Sequence, residues 1–290
     1  MTSGRRPRLT LSADMPAPLV VKFGGELLED AARLQVVTVS MARVAAQGTP
    51  LVVVHGGGKE IDAALKTAGI EKRQVDGLRI TDEPTLDVVV SVLAGSVNTR
   101  LVASLNAAGC AAVGLTGADD GCGLSEAAPP HQTVDGRIVD LGRVGIPSDA
   151  ANVRLLTTLI SGGFVPVLAS IGVGGDGRLF NVNADTFAGH LASRLRARRL
   201  VIAGTTAGVL DESGATLPLL DPAAVDRLIN DRTATAGMIA KLRACAHALA
   251  GGVDDVVIVN GRDQSGLEQA AMAAAPANAT RLVGAARLTR

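Results

Sequence analysis

The chain has no tryptophan, no tyrosine and only four phenylalanines. That scarcity excludes a base-stacking platform or an aromatic cage, since both need several exposed ring faces. The core must instead come from Ala, Val, Leu and Ile, and apolar residues make up 47% of the 290 positions. Cysteine is nearly as scarce. Cys110, Cys122 and Cys245 are odd in number and form no CxxC, so neither a disulfide framework nor a zinc site is indicated, and reduced thiols in a cytoplasmic protein are expected. An excess of either charge is missing too. Lys and Arg number 28 against 28 Asp and Glu, which offers no polycationic face for nucleic acid. No apolar run approaches the roughly 18 residues that cross a bilayer, so no membrane partner is expected. His55, His131, His190 and His247 show no paired spacing for a metal, and no protein-held metal is expected. GxxxxGK[ST] is absent, which excludes a Walker-type phosphate loop. GVGGDG at Gly172–Gly177 precedes a predicted strand rather than linking strand to helix, so it is not a dinucleotide fingerprint.

What is present alternates between strand and helix. Short apolar strands are expected at Leu19–Phe23, Leu51–Val54, Ala111–Leu115, Phe164–Ala169, Leu200–Ala203 and Val256–Val259. Leu34, Val37, Met41 and Val44 repeat at helical spacing, stopped by Gly48 and Pro50. Leu86, Val90, Leu93, Val97, Leu101 and Leu105 mark one face of a long helix. Further helices are expected near Ala151–Ser161, Ala184–Leu195, Asp221–Asn230 and Gly237–Ala250. Asp76–Gly77 and Asp176–Gly177 suggest hairpins. The pattern predicts an α/β fold, a three-layer α/β/α sandwich around a central, mostly parallel open sheet. Residues 1–18, with three arginines and three prolines, read as a disordered tail, or as a mis-assigned start before Met15. Two lobes are expected, 19–175 and 176–290, with their boundary near the second hairpin.

Several polar residues sit where such a fold places ligands, beyond the carboxyl ends of strands. Lys22 closes an apolar strand and precedes Gly24–Gly25. A second strand ends in His55–Gly56–Gly57–Gly58. Glycine lets backbone N–H groups approach an anion, and a following helix adds its positive end. Either cluster alone is explained by an ordinary strand-to-helix turn; two in one half of the sheet suggest a site. Asn181, Asn183 and Asp185 alternate just before a helix. Capping explains one of them, whereas an amide pair could also bind a carboxylate. Lys241 stands in the first turns of another helix, behind Gly237. His55 suits packing or a backbone hydrogen bond better than acid–base work.

Together these segments resemble the amino-acid kinase superfamily. KFGG at Lys22–Gly25, HGGG at His55–Gly58, GLRITD at Gly77–Asp82, NVNAD at Asn181–Asp185, GVLD at Gly208–Asp211 and GMIAK at Gly237–Lys241 occur in that family's order from about Leu19 to Gly261. GLRITD with NVNAD points to the acetylglutamate branch, which phosphorylates the side-chain carboxylate of N-acetyl-L-glutamate with MgATP in arginine biosynthesis. The resemblance implies that Lys22 and Lys241 contact the transferring phosphoryl group and that Asp185 holds both lysines. It implies backbone donors from Gly24, Gly25, Gly57 and Gly58, and α-carboxylate binding by Arg79 and Asn181 with Asn183 close by. Nucleotide contacts would come from Thr205, Gly208, Leu210 and Gly237, although Thr205 and Ala207 replace the aspartate and proline of the family's TDVPGVLD. The implied cofactors are ATP and Mg2+, the latter held mostly by nucleotide and water. The first lobe would bind the acyl amino acid and the second ATP. The chemistry agrees. A carboxylate is already ionised at neutral pH, so phosphoryl transfer to it needs positioning and positive charge rather than a base. Other acceptors in the same branch of chemistry, N-succinylglutamate or carrier-bound aminoadipate, would suit the same arginine and asparagines. A non-catalytic arginine-sensing domain is a further alternative, but such domains tend to lose the lysines that this chain keeps. The stretch after Gly261 is too short for an appended transferase domain. Arginine-inhibited relatives carry an extra N-terminal helix, which the tail does not suggest, so a homodimer without strong arginine feedback is expected.

Overall fold

The computed structural model describes residues 16–133, 136–230, 236–272 and 275–284. Most of the expected tail, Met1 and Met15 included, lies outside the described residues, as does Thr235 ahead of Gly237. The first part of the chain runs β1 (Leu19–Phe23), α1 (Ala31–Ala46), β2 (Leu51–His55), α2 (Gly58–Thr67), β3 (Gln74–Val75), β4 (Leu78–Arg79), α3 (Glu83–Val90), α4 (Asn98–Ala107) and β5 (Ala112–Thr116). Short strands β6 (Ser125–Ala127), β7 (His131–Gln132), β8 (Ile138–Val139) and β9 (Val144–Pro147) follow, then α5 (Arg154–Ser161), β10 (Val165–Ala169), β11 (Ile171–Val173) and β12 (Leu179–Val182). The remainder is α6 (Ala184–Arg194), β13 (Arg199–Gly204), β14 (Leu219–Leu220), α7 (Pro222–Asn230), α8 (Ala236–Ala250), β15 (Asp255–Asn260), α9 (Gln264–Met272) and β16 (Ala279–Val283).

Eight strands form one sheet in the order β14-β16-β15-β13-β1-β2-β10-β5. Every neighbouring pair is parallel except β15 and β16. The expected open, mostly parallel sheet between helical layers is therefore found. The central strands are buried on both faces, which is why they read as continuous Val/Leu/Ile runs. Leu19, Val21 and Phe23 of β1 pack into one layer with Val37, Met41, Leu101 and Leu267. Val20 faces the other, with Phe187, Leu191, Leu242 and Cys245. The β1–β13 pairing joins the two halves of the sheet.

The long helix is present but is not α-helical throughout. Between α3 and α4, Ser91–Val97 winds as a π-helix. The composite Glu83–Ala107 is 25 residues long and apolar enough in composition to cross a bilayer, which the search for an apolar run did not anticipate. Asp87 and Arg100 interrupt it, and Leu86, Val89, Leu93, Val97, Leu101 and Leu105 are buried in the protein's own core. The GVGGDG segment spans the antiparallel turn between β11 and β12, as expected of a hairpin. The short strands β6 to β9 were not anticipated individually, and neither were α9, β14 and β16. β14 has two residues, and the Gly- and Ala-containing QSGLEQAAM of α9 has a weak apolar stripe.

At the amino ends of the strands a buried ion network ties β13, β15 and β16. Arg199 grips Asp255 with both ends of its fork, at 2.8 Å each, and also donates to the Ala270 carbonyl of α9 at 2.8 Å. Arg281 adds a contact at 2.8 Å. Burial opposes the charge of Asp255, but the guanidinium groups hold its carboxyl below the ordinary value. Removing one side of a buried ion pair strands the other without a counter-charge. Asp255→Asn is expected to lower the unfolding free energy by about 3–5 kcal/mol in urea titration, with unchanged backbone amide shifts at Gly56–Gly58 across the sheet. A smaller loss, or disturbed glycine shifts, contradicts this local role.

Candidate active site

Alternation along β1 decides what Lys22 meets. Phe23 and Val21 take one layer, so Lys22 points with Val20 into the layer of α6 and α8. Asn183 caps α6: its Oδ1 accepts from the N–H groups of Asp185 at 3.0 Å and Thr186 at 3.1 Å. That cap sets Asp185 in the first turn, above the end of β1. Asp185 Oδ1 is 2.8 Å from Lys22 Nζ, and Oδ2 is 2.9 Å from Lys241 Nζ, delivered by α8. All three side chains are largely buried, with 9%, 10% and 16% exposure for Lys22, Asp185 and Lys241. Lys22 is thus neither a snorkelling surface residue nor alone.

Charge balance inside this triad is uneven. Burial pushes the Lys22 ammonium below its ordinary pKa, and Lys241 adds repulsion, against the pull of Asp185. Burial also works against Lys241, but Asp185 outweighs it and the pKa ends above the ordinary value. Desolvation likewise disfavours ionised Asp185, yet the two ammonium groups hold its carboxyl well below the usual range. Two cations and one anion leave a net positive charge at the carboxyl edge of the sheet.

Beside the triad lies a cavity of about 260 Å³, lined among others by Lys22, Gly25, Gly57, Gly58, Arg79 and Asn181. The two glycine turns touch each other there. A Cβ on Gly25 would lie 2.6 Å from the Gly57 Cα, so neither turn has room for a side chain. Gly57 is the N-cap of α2 and Gly58 its first residue, so their N–H groups belong to the first turn, which finds no partner within the helix. One expected donor differs. Gly24 lines the cavity, but its N–H is committed to the Ala203 carbonyl at 3.0 Å. It gives the site room, not a hydrogen bond.

The β3–β4 hairpin turns through Asp76 (φ 47°) and Gly77 (φ 79°), a turn in which both residues take left-handed angles. It delivers Arg79, only 8% exposed, whose Nη2 pairs with Asp62. Nη1 is buried with no acceptor, so one end of the guanidinium fork remains for a ligand carboxylate. Asn181 Nδ2 donates to Thr81 Oγ1 at 3.1 Å, which fixes the amide's orientation beside the cavity. Asn183 also lines it, but its oxygen serves the helix cap.

Thr205, Gly208, Leu210 and Gly237 do not line this cavity. The first three lie on the turn after β13. Gly208 has φ 89°, and the Thr280 Oγ1 of β16 accepts from the neighbouring Val209 N–H at 2.7 Å. Gly237 is in the first turn of α8, and its N would be 3.9 Å from a Cβ built on Gly77. The hairpin tip therefore stands over the start of the helix that carries Lys241. Sequence reasoning missed Glu26. It lines the cavity, and its charge acts on both lysines. Its place directly after Gly25 was the available signal, but a carboxylate runs against the expectation for an anion site.

The profile of the amino acid kinase family matches residues 17–260. The acetylglutamate kinase of Novosphingobium aromaticivorans is 41% identical over 252 residues, covering 84% of this chain and 83% of that protein. That of Rhizorhabdus wittichii is 42% identical over 248 residues, covering 84% and 82%. Among solved structures, N-acetylglutamate synthase from Neisseria gonorrhoeae, complexed with coenzyme A and N-acetyl-glutamate, shares the fold with a TM-score of 0.78 at 23% identity. The match covers 92% of this chain, which spans 59% of the synthase chain. The parallel sheet, the glycine turns touching at its carboxyl edge and the two lysines on one aspartate agree with these likenesses: the chain belongs to the amino acid kinase family.

Proposed function

We propose that the chain is an acetylglutamate kinase, which transfers the γ-phosphoryl group of ATP to the side-chain carboxylate of N-acetyl-L-glutamate and forms an acyl phosphate for arginine biosynthesis. The observation that carries this reading is the convergence of Lys22 and Lys241 on Asp185, at 2.8 and 2.9 Å. An anionic carboxylate attacking an anionic phosphoryl group must overcome repulsion, and preorganised ammonium groups and backbone donors offset it. Lys22 and Lys241 take the oxygens of the transferring group. Gly57 and Gly58 present N–H groups to it, and Gly25 lets the two turns close around it. Arg79 Nη1 and the Asn181 amide hold the α-carboxylate of the acyl amino acid. The acceptor is ionised at neutral pH, so no side chain has to remove a proton.

Among the described residues no group of three or more His, Cys, Asp or Glu could hold a metal ion. Mg2+ enters with ATP, on the nucleotide's phosphates and water, where it neutralises phosphate charge. Glu26 is the one acid among the described residues lining the cavity. The lobe of residues 19–175 takes the acyl amino acid and that of 176–290 takes ATP, with Thr205, Gly208, Leu210 and Gly237 along the nucleotide's path. Both lysines being present on their aspartate favours a kinase over an arginine-sensing domain. A homodimer is the expected assembly.

Three outcomes are expected. Lys22→Ala or Lys241→Ala lowers kcat for N-acetyl-L-glutamate-dependent ADP release by about a hundredfold to a thousandfold, as for loss of a preorganised donor; near-normal turnover in either purified variant overturns the assignment. Arg79→Lys, which cannot reproduce a planar fork, raises the KM for N-acetyl-L-glutamate about tenfold or more while changing kcat less. An unchanged KM there removes Arg79 from the substrate. Light scattering gives twice the 29.3 kDa chain mass, and arginine at submillimolar concentration leaves the rate unchanged; a hexamer or arginine inhibition contradicts this.

A further inference from the structure

The Gly56–Gly57–Gly58 turn has no side chains with which to fix its own shape. Two buried polar groups sit directly against it. His55 closes β2 with 0% exposure. Its Nδ1 lies 3.2 Å from the Gly56 carbonyl oxygen, and its Nε2 lies 3.0 Å from Asn98 Nδ2. A carbonyl oxygen only accepts, so Nδ1 carries the proton. Asn98 Nδ2 also donates to the Val167 carbonyl at 3.0 Å, which identifies it as the NH2 end of the amide and Nε2 as the bare, accepting nitrogen. Both contacts call for the same neutral tautomer. Burial holds the imidazole pKa down at about 4, so it stays neutral at physiological pH.

Asn98 is itself held in place. It is 5% exposed, directly follows the π segment, and its Oδ1 packs against Gly114 where a larger residue would carry its Cβ. The same helix presses the turn from another side. A Cβ on Gly57 would stand 2.8 Å from Leu93 Cδ2 and 3.4 Å from Val97 Cγ2. π segments recur where helices serve functional sites. The consequence for the turn follows from peptide geometry. The Gly56 carbonyl and the Gly57 N–H belong to one planar trans unit and point in opposite directions. With glycine on both sides of that unit, its rotation meets little steric resistance. Whatever holds the Gly56 oxygen therefore aims the Gly57 N–H.

We infer that His55 and Asn98 are positioning residues: His55, oriented by Asn98, locks the Gly56–Gly57 peptide so that the Gly57 N–H faces the cavity. The reaction this lock serves rests on the kinase reading above; the tautomer and the peptide orientation do not. His55→Asn keeps an amide donor near the Nδ1 position. His55→Gln places its polar end at the Nε2 position and leaves the Gly56 oxygen without its donor. With N-acetyl-L-glutamate and ATP, His55→Gln is expected to lower kcat about a hundredfold, the effect of losing one preorganised N–H. Its KM for ATP should stay within about threefold, and His55→Asn within about tenfold of the unmodified kcat. Equal losses in the two variants, or a His55→Gln enzyme as fast as the unmodified one, overturn the inference. A second measurement needs no variant to be active. In 15N-histidine-labelled protein, His55 should show a protonated Nδ1 and a bare Nε2, constant from about pH 6 to 8; the reverse tautomer or a titration in that range overturns the lock. If the unmodified protein releases no ADP with N-acetyl-L-glutamate, the kinase reading falls. The 15N tautomer, together with a Gly57 amide shift retained in His55→Asn and displaced in His55→Gln, then decides the lock on its own.

Discussion

A single carboxylate holds the chemistry of this protein in place. Asp185 is reached by two ammonium groups that are 219 positions apart in the chain, counting from Lys22 to Lys241. Unpaired, either cation would be costly to bury, and both would repel each other. With Asp185 between them they can be brought side by side under the start of a helix and kept there. The rest of the architecture meets that demand. β1 must end where it does so that alternation turns Lys22 toward α6. α6 must start where it does so that its capped first turn presents Asp185. α8 must pack along α6, which it does through Leu242, Cys245 and Ala248 against Phe187, Ala188 and Leu191.

The glycine turns are the second constraint, and they depend on the first. Positive charge in the triad is useful only if backbone donors can close in around an anion, and side chains would force the turns apart: a Cβ at Gly25 would strike the Gly57 backbone and one at Gly57 would strike Leu93. Their mutual contact means that β1 and β2 must be adjacent and in register, as the Phe23–His55 pairing makes them. The site is thus assembled from the ends of neighbouring parallel strands, and its precision comes from sheet register rather than from long loops. Arg79 arrives differently, on a two-strand hairpin whose tip stands over the start of α8. That arrangement links the residue suited to a carboxylate ligand with the helix that delivers the second lysine.

Much of this was legible before any coordinates. The strands β1, β2, β10, β13 and β15 were readable because burial on both faces makes them uniformly apolar. Lys22 stood out because it broke such a run. The convergence of Lys22, Asp185 and Lys241 came from the resemblance of ordered motifs; no local pattern in the chain states that position 241 meets position 22. The limits were also physical. Gly24 was counted among the donors, but its N–H closes the sheet onto Ala203, and bonding of that kind depends on the neighbouring strand. Glu26 escaped because charge logic disfavours a carboxylate beside phosphate oxygens. The π segment escaped because its residues keep a helical apolar period, and one extra residue in a turn leaves almost no trace in it. β16 escaped because it pairs antiparallel with β15 across an intervening helix and is flanked on its other side only by the two-residue β14.

The two buried ion clusters at opposite ends of the sheet show what distinguishes a site from a strut. Each combines two cations with one aspartate, so net charge does not separate them. Donor capacity does. Arg199 directs its fork at Asp255 and its other end at the Ala270 carbonyl, so each of its three nitrogens already has a fixed protein acceptor. Lys22 and Lys241 carry three N–H donors apiece and each commits one to Asp185. Removing a partner from either cluster would be costly, yet replacing a whole buried ion network with apolar residues is often neutral or stabilising. Fold stability alone therefore gives little reason to keep two lysines at the open end. Their remaining N–H groups, held beside a cavity between glycine turns, give the reason: they are suited to oxygens that arrive only with a ligand.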